Sequence, residues 1–255
     1  MKKFRGIHIK SAAEIELMRE ANRIVAEVLD AIGREVEPGK PTMFFEELAL
    51  SQCRKNNVRP AFKGYKGFPF ALCCSVNEEV VHGFPSDRVL QEGDIVSFDM
   101  GVVYRKYYGD AARTFTVGEV SGNASALVET TRATLMEGVR EARPGNYLVD
   151  ISRAIQKHAE SRGYSVIKRF VGHGIGLNLH EKPEVPNFVT DRAMDLPLRA
   201  GMVLAIEPML TLGGSQVRVL EDRWTAVTAD GTLSAHFEHT VAITDDGPDI
   251  LSLNN

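Results

Sequence analysis

The apolar positions near the start of the chain recur at helical spacing. Ile15, Met18, Ala21, Ile24, Val25, Val28, Leu29 and Ile32 trace one face of a helix over residues 11–36. Ser11 with Glu14 three residues later is a capping-box pattern that fixes its start, and Glu37-Pro38-Gly39 ends it. A second helix is predicted from Thr42 to about Lys55. A loop rich in glycine, proline and aromatics spans residues 62–70, and residues 71–81 read as strand, ending at His82-Gly83. Residues 93–100 form an apolar strand closed by Asp99. Helices are predicted over 123–142 and 148–162, with Pro144-Gly145 between them. Strands dominate from Ser165 onward, with Asp230-Gly231 as a hairpin turn.

This order repeats. Leu90, Gly93, Ile95, Val96, Phe98 and Asp99 match Leu198, Gly201, Val203, Leu204, Ile206 and Glu207, each pair 108 positions apart. Pro38-Gly39 matches Pro144-Gly145 at an offset of 106. Each half reads helix, Pro-Gly, helix, strands, with an acidic residue closing a buried strand. Two such halves form one pseudo-twofold domain whose carboxylates meet at the centre.

Those carboxylates carry the candidate chemistry. Asp99 and Asp110 lie eleven apart, with Val102-Val103 and Tyr107-Tyr108 as the arms of a hairpin. A turn near Tyr104-Arg105 sets Asp99 opposite Asp110, and two bare carboxylates so placed repel unless a cation sits between them. Glu207 ends the apolar run Met202–Ile206, and Glu238 enters another at residues 238–243. Taken singly, each suits a buried salt bridge or a strand-end charge better than a ligand. The stretch from Gly172 to His180 adds His173 between two glycines and a second histidine seven positions on. Glycine permits close backbone approach and positive φ, so His173 is expected to face an open site. Four carboxylates carry the charge of two divalent cations, which points to a dinuclear centre. One imidazole among oxygens suits Co, Mn, Fe or Zn and does not choose between them.

Composition narrows the class. In a chain of 255 residues, a net charge of -4 gives no electrostatic case for nucleic acid as main partner. The longest apolar runs, such as residues 201–212, are broken by Glu207-Pro208 and are too short to span a bilayer. The start, Met1-Lys2-Lys3-Phe4-Arg5-Gly6, is basic with no apolar stretch after it, so no signal peptide is expected. Three cysteines, two of them adjacent, make no disulfide framework. The expectation is a reduced, cytoplasmic enzyme: a short arm over residues 1–10 and a single catalytic domain over 11–255.

The run Phe170-Val171-Gly172-His173-Gly174-Ile175-Gly176, then His180, then Val185-Pro186-Asn187, closely resembles the signature of type I methionine aminopeptidases. Asp99 and Asp110, Glu207-Pro208 and Glu238-His239-Thr240 resemble the remaining ligand motifs, in the family's order. The resemblance implies the α+β "pita-bread" fold, in agreement with the repeat. It implies removal of the initiator methionine from nascent chains when the second residue is small, by metal-activated water. Asp99, Asp110, His173, Glu207 and Glu238 are then the ligands of two divalent metal ions, with Glu207 also moving a proton. His180 would polarise the scissile carbonyl, and His82 would hydrogen-bond the substrate amide. Tyr65, Phe68, Cys73, His82, His180 and Trp224 fall where the family binds substrate. Leu179, Phe62 and His236 depart from the usual pattern, and so does a Tyr104-Arg105-Lys106 turn without Gly or Asp. With Lys2 second, the chain's own Met1 is expected to stay. Expected partners are peptide substrates (nascent N-termini), with the basic start and the 62–70 loop as candidates for docking on a ribosome. The chain is expected to be a monomer. Rival readings are another hydrolase of the fold, such as an Xaa-Pro aminopeptidase, and a non-catalytic peptide-binding module. An Xaa-Pro enzyme usually carries an extra N-terminal domain, for which ten residues before the first helix leave no room.

Overall fold

The computed structural model describes residues 2–190 and 196–253; Met1 lies outside them. Four helices lean on a curled antiparallel sheet. Helix α1 covers Ala12–Gly33 and α2 covers Thr42–Lys55. Helix α3 covers Gly122–Glu141 and α4 covers Leu148–Glu160. The capping box read from Ser11 and Glu14 is present, with both reciprocal hydrogen bonds formed. Helix α1 ends at Gly33, five residues before Pro38 of the Pro-Gly signal. There an added Cβ would lie 2.5 Å from the Phe115 ring, so the helix end and the sheet touch directly. Among the described residues no helix is long and apolar enough to cross a membrane.

The main sheet runs, in order, through strands 181–185, 172–174, 203–206, 238–244, 107–116, 95–104 and 59–60, with 72–76 also on 95–104 and 247–250 also on 238–244. Period-two alternation sorts its faces. Phe98, Met100, Val102 and Ala111 pack under α1 and α2, and Leu204, Ile206, Val241 and Ile243 pack under α3 and α4. Asp99, Asp110, Glu207 and Glu238 occupy the alternate positions and face away from both helix layers.

The repeat is present in three dimensions. Leu90 N–H bonds the Lys40 carbonyl at 2.9 Å, and Leu198 N–H bonds the Asn146 carbonyl at 2.8 Å. Thr42 N–H to Arg88 O and Leu148 N–H to Leu196 O form a second matched pair. Isolated bridges Pro41 to Val89 and Tyr147 to Pro197 form a third. Gly93 and Gly201 take φ of 93° and 89°, and Gly39 and Gly145 both take 94°, a region where side chains are strained.

Several expectations change in detail. The strand carrying Asp99 is Ile95–Tyr104, so Asp99 sits in its middle. Residues 71–81 form two strands, Leu72–Val76 and Glu79–Val81, joined through Asn77 in the left-handed region. Asp230-Gly231 is a turn but not a hairpin, because the strands it joins, 226–228 and 234–236, belong to different sheets. The 95–116 hairpin turns at Arg105-Lys106, not Tyr104-Arg105, with φ of 46° and 78°. That is the geometry of the two-residue turn that matches strand twist, held here without its usual Asn-Gly. Residues 2–9 of the N-terminal arm fold as a hairpin, Lys2–Phe4 against Ile7–Ile9, with Ile7 in the second-half core.

Gly109 holds α1 against the 95–116 hairpin. A Cβ there would lie 2.7 Å from the Ala21 carbonyl carbon and 2.8 Å from the Asn22 nitrogen, both backbone atoms that cannot swing aside. Gly109→Ala is therefore expected to cost about 1–3 kcal/mol, seen as a Tm lower by roughly 2–12 °C in a thermal melt. An unchanged Tm would show that α1 can slide away freely.

Candidate metal centre

The hairpin register decides how Asp99 and Asp110 meet. Asp99 pairs with Ala112 and Asp110 with Gly101, so the two carboxylates are diagonal neighbours on one face, not directly opposite. Moving the turn by one residue shifts the pairing by two and keeps the face. Cys73 pairs with Asp99 on the adjoining strand and points the same way. From α1, the buried Asn22 accepts the Asp110 N–H through Oδ1 at 3.1 Å and donates through Nδ2 to the Met18 carbonyl at 2.9 Å. Thr240 Oγ1 donates to the Asp110 carbonyl at 2.8 Å. These two backbone clamps fix Asp110 from both halves, and no feature of the sequence had marked Asn22.

His173 comes from the short strand Gly172–Gly174, sandwiched between strands 181–185 and 203–206. Its flanking glycines serve close approach, not positive φ. A Cβ at 172 would lie 2.3 Å from the Ala205 carbonyl oxygen, and one at 174 would lie 2.2 Å from that of Lys182. The histidine is consequently buried, at 7% exposure, with its imidazole in the wall of a cavity. Nδ1 donates to the Gly174 carbonyl at 2.9 Å, which leaves Nε2 with its lone pair toward the carboxylates. Nε2 lies 3.8 Å from Asp110 Oδ2 and 3.6 Å from Glu207 Oε1. Glu207 follows strand Val203–Ile206 directly, and Asn187 Nδ2 donates to its carbonyl at 3.0 Å. Ligand atoms of Asp110, His173 and Glu238 all lie within 4.8 Å of one another.

Electrostatics mark this cluster as incomplete without a cation. Burial pushes the Asp99 carboxyl up to about 7. Burial, then neighbouring carboxylates, raise Asp110 and Glu238 well above the carboxylate range, and Glu207 rises through burial and Asp99. Burial, then His180, push His173 down to about 3, so its imidazole is neutral. Asp99 Oδ1, Asp110 Oδ1 and Glu238 Oε1 are buried with no hydrogen-bond partner. Among the described residues no Lys or Arg forms an ion pair with any of the four carboxylates. Orphaned carboxylate oxygens facing a neutral imidazole nitrogen fit divalent cations.

The five acidic and imidazole groups line one cavity of about 160 Å³ together with Tyr65, Phe68, Cys73, His82, His180 and Trp224. All eleven residues singled out in the sequence thus meet there. Phe62, Lys66 and Leu179 complete the wall; Phe62 and Leu179 are two of the positions that depart from the family pattern, whereas Lys66 carried no sequence signal. His236 is buried apart from the cavity lining. Phe68 meets Trp224 edge to face at 5.1 Å and Phe84 at 5.5 Å. Trp224 is aimed by Asp222, whose Oδ1 accepts the N–H groups of Trp224 and Thr225. Burial raises the Cys73 thiol well above its ordinary range, so it packs as a neutral group. His82 sits at φ 61°, and the next residue must be glycine, since a Cβ at 83 would lie 2.2 Å from the Cys74 carbonyl oxygen. His180 stacks on Tyr65 with ring centroids 5.3 Å apart, and its Nδ1 lies 2.9 Å from the Tyr65 hydroxyl.

Comparison with known proteins agrees with this geometry. The model of metallopeptidase family M24 matches residues 16–245. A methionine aminopeptidase of Clostridium acetobutylicum is 50% identical over 248 residues, 97% of this chain and 99% of its own. Methionine aminopeptidase 1 of Bacillus subtilis is 45% identical over 243 residues, 95% of this chain and 98% of its own. The crystal structure of a methionine aminopeptidase from Thermotoga maritima superposes with a TM-score of 0.95 at 48% identity, covering 97% of this chain and all of that one. A prolidase from Pyrococcus furiosus, 24% identical, shares the fold with a TM-score of 0.79, and 66% of its chain is covered. The chain belongs to metallopeptidase family M24, among its methionine aminopeptidases.

Proposed function

We propose that this chain removes the N-terminal methionine from nascent polypeptides whose second residue is small, in the cytoplasm where such chains emerge. The observation that carries the reading is the meeting of five ligand groups, three with orphaned carboxylate oxygens, beside a pocket of aromatic rings and a thiol. Asp99, Asp110, His173, Glu207 and Glu238 would hold two divalent cations, Asp110 and His173 on one with the two glutamates, Asp99 on the other. Bound there, divalent cations supply a water ionised near neutral pH and a Lewis acid for the substrate's free α-amine.

The chain's own residues do the rest. Tyr65, Phe68, Cys73 and Trp224 take the unbranched, polarizable methionine side chain, with Phe62 and Leu179 narrowing the slot. Burial, then Lys66, push His180 down to about 4, so its imidazole is neutral, while burial raises the Tyr65 phenol, which keeps its proton. With the Tyr65 hydroxyl donating to His180 Nδ1, Nε2 carries the proton. Nε2–H is then a donor for the scissile carbonyl oxygen as negative charge develops on it. Burial, then His180, hold His82 neutral at about 4, fit to hydrogen-bond the substrate amide. Glu207 accepts a proton from the attacking water and passes it to the leaving amine.

Free methionine released from Met-Ala-Ser and Met-Lys-Ser by chelator-stripped protein, alone and with added Mn, Fe, Co or Zn, tests the activity. Metal-dependent cleavage of the first peptide only is expected. Silence with every metal would remove the reading in favour of another hydrolase or a binding module. His180→Ala is expected to lower kcat by about 10²-fold, the scale of one lost oxyanion donor; full kcat in that variant would strike His180 from the mechanism.

Cation uptake should also release protons. Asp99, pushed up to about 7, is half protonated at neutral pH in the metal-free protein and must ionise to bind. Affinity for Mn²⁺ is thus expected to rise with pH across the window around 7. Stability of the metal-free protein carries the opposite sign. A carboxyl whose folded value exceeds its unfolded one contributes stability at low pH and loses it as pH rises through about 7. Titration calorimetry with Mn²⁺ at pH 7 in buffers of different ionisation enthalpy measures the release directly. Heats independent of buffer would show the ligands already ionised.

A further inference from the structure

Outside the cavity lining, a lysine is sealed inside the protein. Lys10 follows the N-terminal hairpin and is 4% exposed. Its Nζ meets Glu181 Oε2 at 2.9 Å. Its backbone N–H bonds the Gly201 carbonyl at 2.7 Å. The side-chain stem lies over Gly176, where an added Cβ would come within 2.6 Å of Lys10 Cε. Glu181 uses its other oxygen on the loop that precedes it: Oε1 accepts the N–H groups of Leu177 at 2.9 Å and Asn178 at 3.1 Å. Tyr108 N–H bonds the Gly176 carbonyl from the 95–116 hairpin, and the adjacent Tyr107 hydroxyl donates to Glu14 at 3.0 Å. Glu14 also faces His8 Nε2 at 3.5 Å.

The loop so held, residues 175–180, ends in His180. That histidine lines the cavity wall, and Tyr65 is its one side-chain hydrogen-bond partner among the described residues. Glu181 is the next residue, and its carboxylate ties the loop to the N-terminal segment. A buried ion pair adds little to stability over a well-packed apolar pair, so stability alone does not account for it. Fixing position does: one carboxylate joins the ammonium of Lys10 to two backbone donors of the His180 loop. Resting on the function proposed above, we propose that Lys10 and Glu181 are positioning residues that hold the His180 imidazole over the scissile bond, making the N-terminal arm part of the catalytic apparatus.

Lys10→Met keeps the stem and removes the charge, and Glu181→Gln keeps an oxygen for the two N–H groups while ending the ion pair. Both are measured in the metal-loaded protein against Met-Ala-Ser. A fall in kcat of about tenfold or more is expected in each, with KM within about twofold, since a catalytic group displaced by about an ångström loses that much. In a His180→Ala background the same changes should produce no further fall, because their effect passes through that imidazole. Retained kcat in both variants, or an equal further fall without His180, would overturn the proposal. The His180 ring resonances, assigned by their loss in His180→Ala, supply a readout that needs no turnover. They should shift in Lys10→Met while those of His239 stay in place; unmoved His180 signals would overturn the proposal whether or not methionine is released. Failure of the wild-type protein to cleave the peptide would count against the activity, and the ring signals would still decide the positioning role.

Discussion

Four carboxylates turned into one buried cavity set the terms for the rest of this structure. They repel, they have lost most of their water, and no lysine or arginine pairs with them among the described residues. Only protons or cations can make the arrangement tolerable. The surrounding sheet is arranged to keep them together in spite of that. Asp110 is clamped through its backbone by Asn22 from one half and Thr240 from the other, and His173 is locked by two neighbouring strands pressed against its glycines.

The scaffold accepts local strain to deliver these groups. His82 and the Arg105-Lys106 turn use positive φ without glycine. Such conformations cost on the order of 1–3 kcal/mol each and persist where packing over-determines them. At His82 the over-determination is visible: Gly83 is wedged on the Cys74 carbonyl, and the ring lies edge-on to Phe170 at 5.4 Å. The turn matters because it sets the hairpin register and therefore which residues stand beside Asp99.

Much of this was legible in the sequence. The offset between Leu90–Asp99 and Leu198–Glu207 announced two related halves, and the structure repeats their hydrogen bonds as well as their residues. The acidic residues were legible because charge in or beside an apolar strand is conspicuous, and His173 because glycines flank it. The register of Asp99 and Asp110 was not, since a turn of Arg and Lys carries none of the chemistry that marks a two-residue hairpin. Asn22 was hidden because an asparagine on a long helix looks like a solvated position until the backbone of another strand arrives beside it. Lys10 was hidden for the same reason: its partner lies 171 positions away, and burial of a lysine is decided by tertiary packing alone. The glycines around His173 pointed to the right residue for an incomplete reason, close packing in place of turn geometry.

The seam between the halves has one more consequence. Asp99 and Asp110 come from the first half, and His173, Glu207 and Glu238 from the second, so a cation held by Asp110, His173 and the two glutamates would tie residues from 63 to 128 positions apart in the chain. It acts as a reversible cross-link closing a very long loop, whose closing entropy grows only logarithmically with length. Occupancy then contributes to folding by mass action, in proportion to the logarithm of free metal over its dissociation constant.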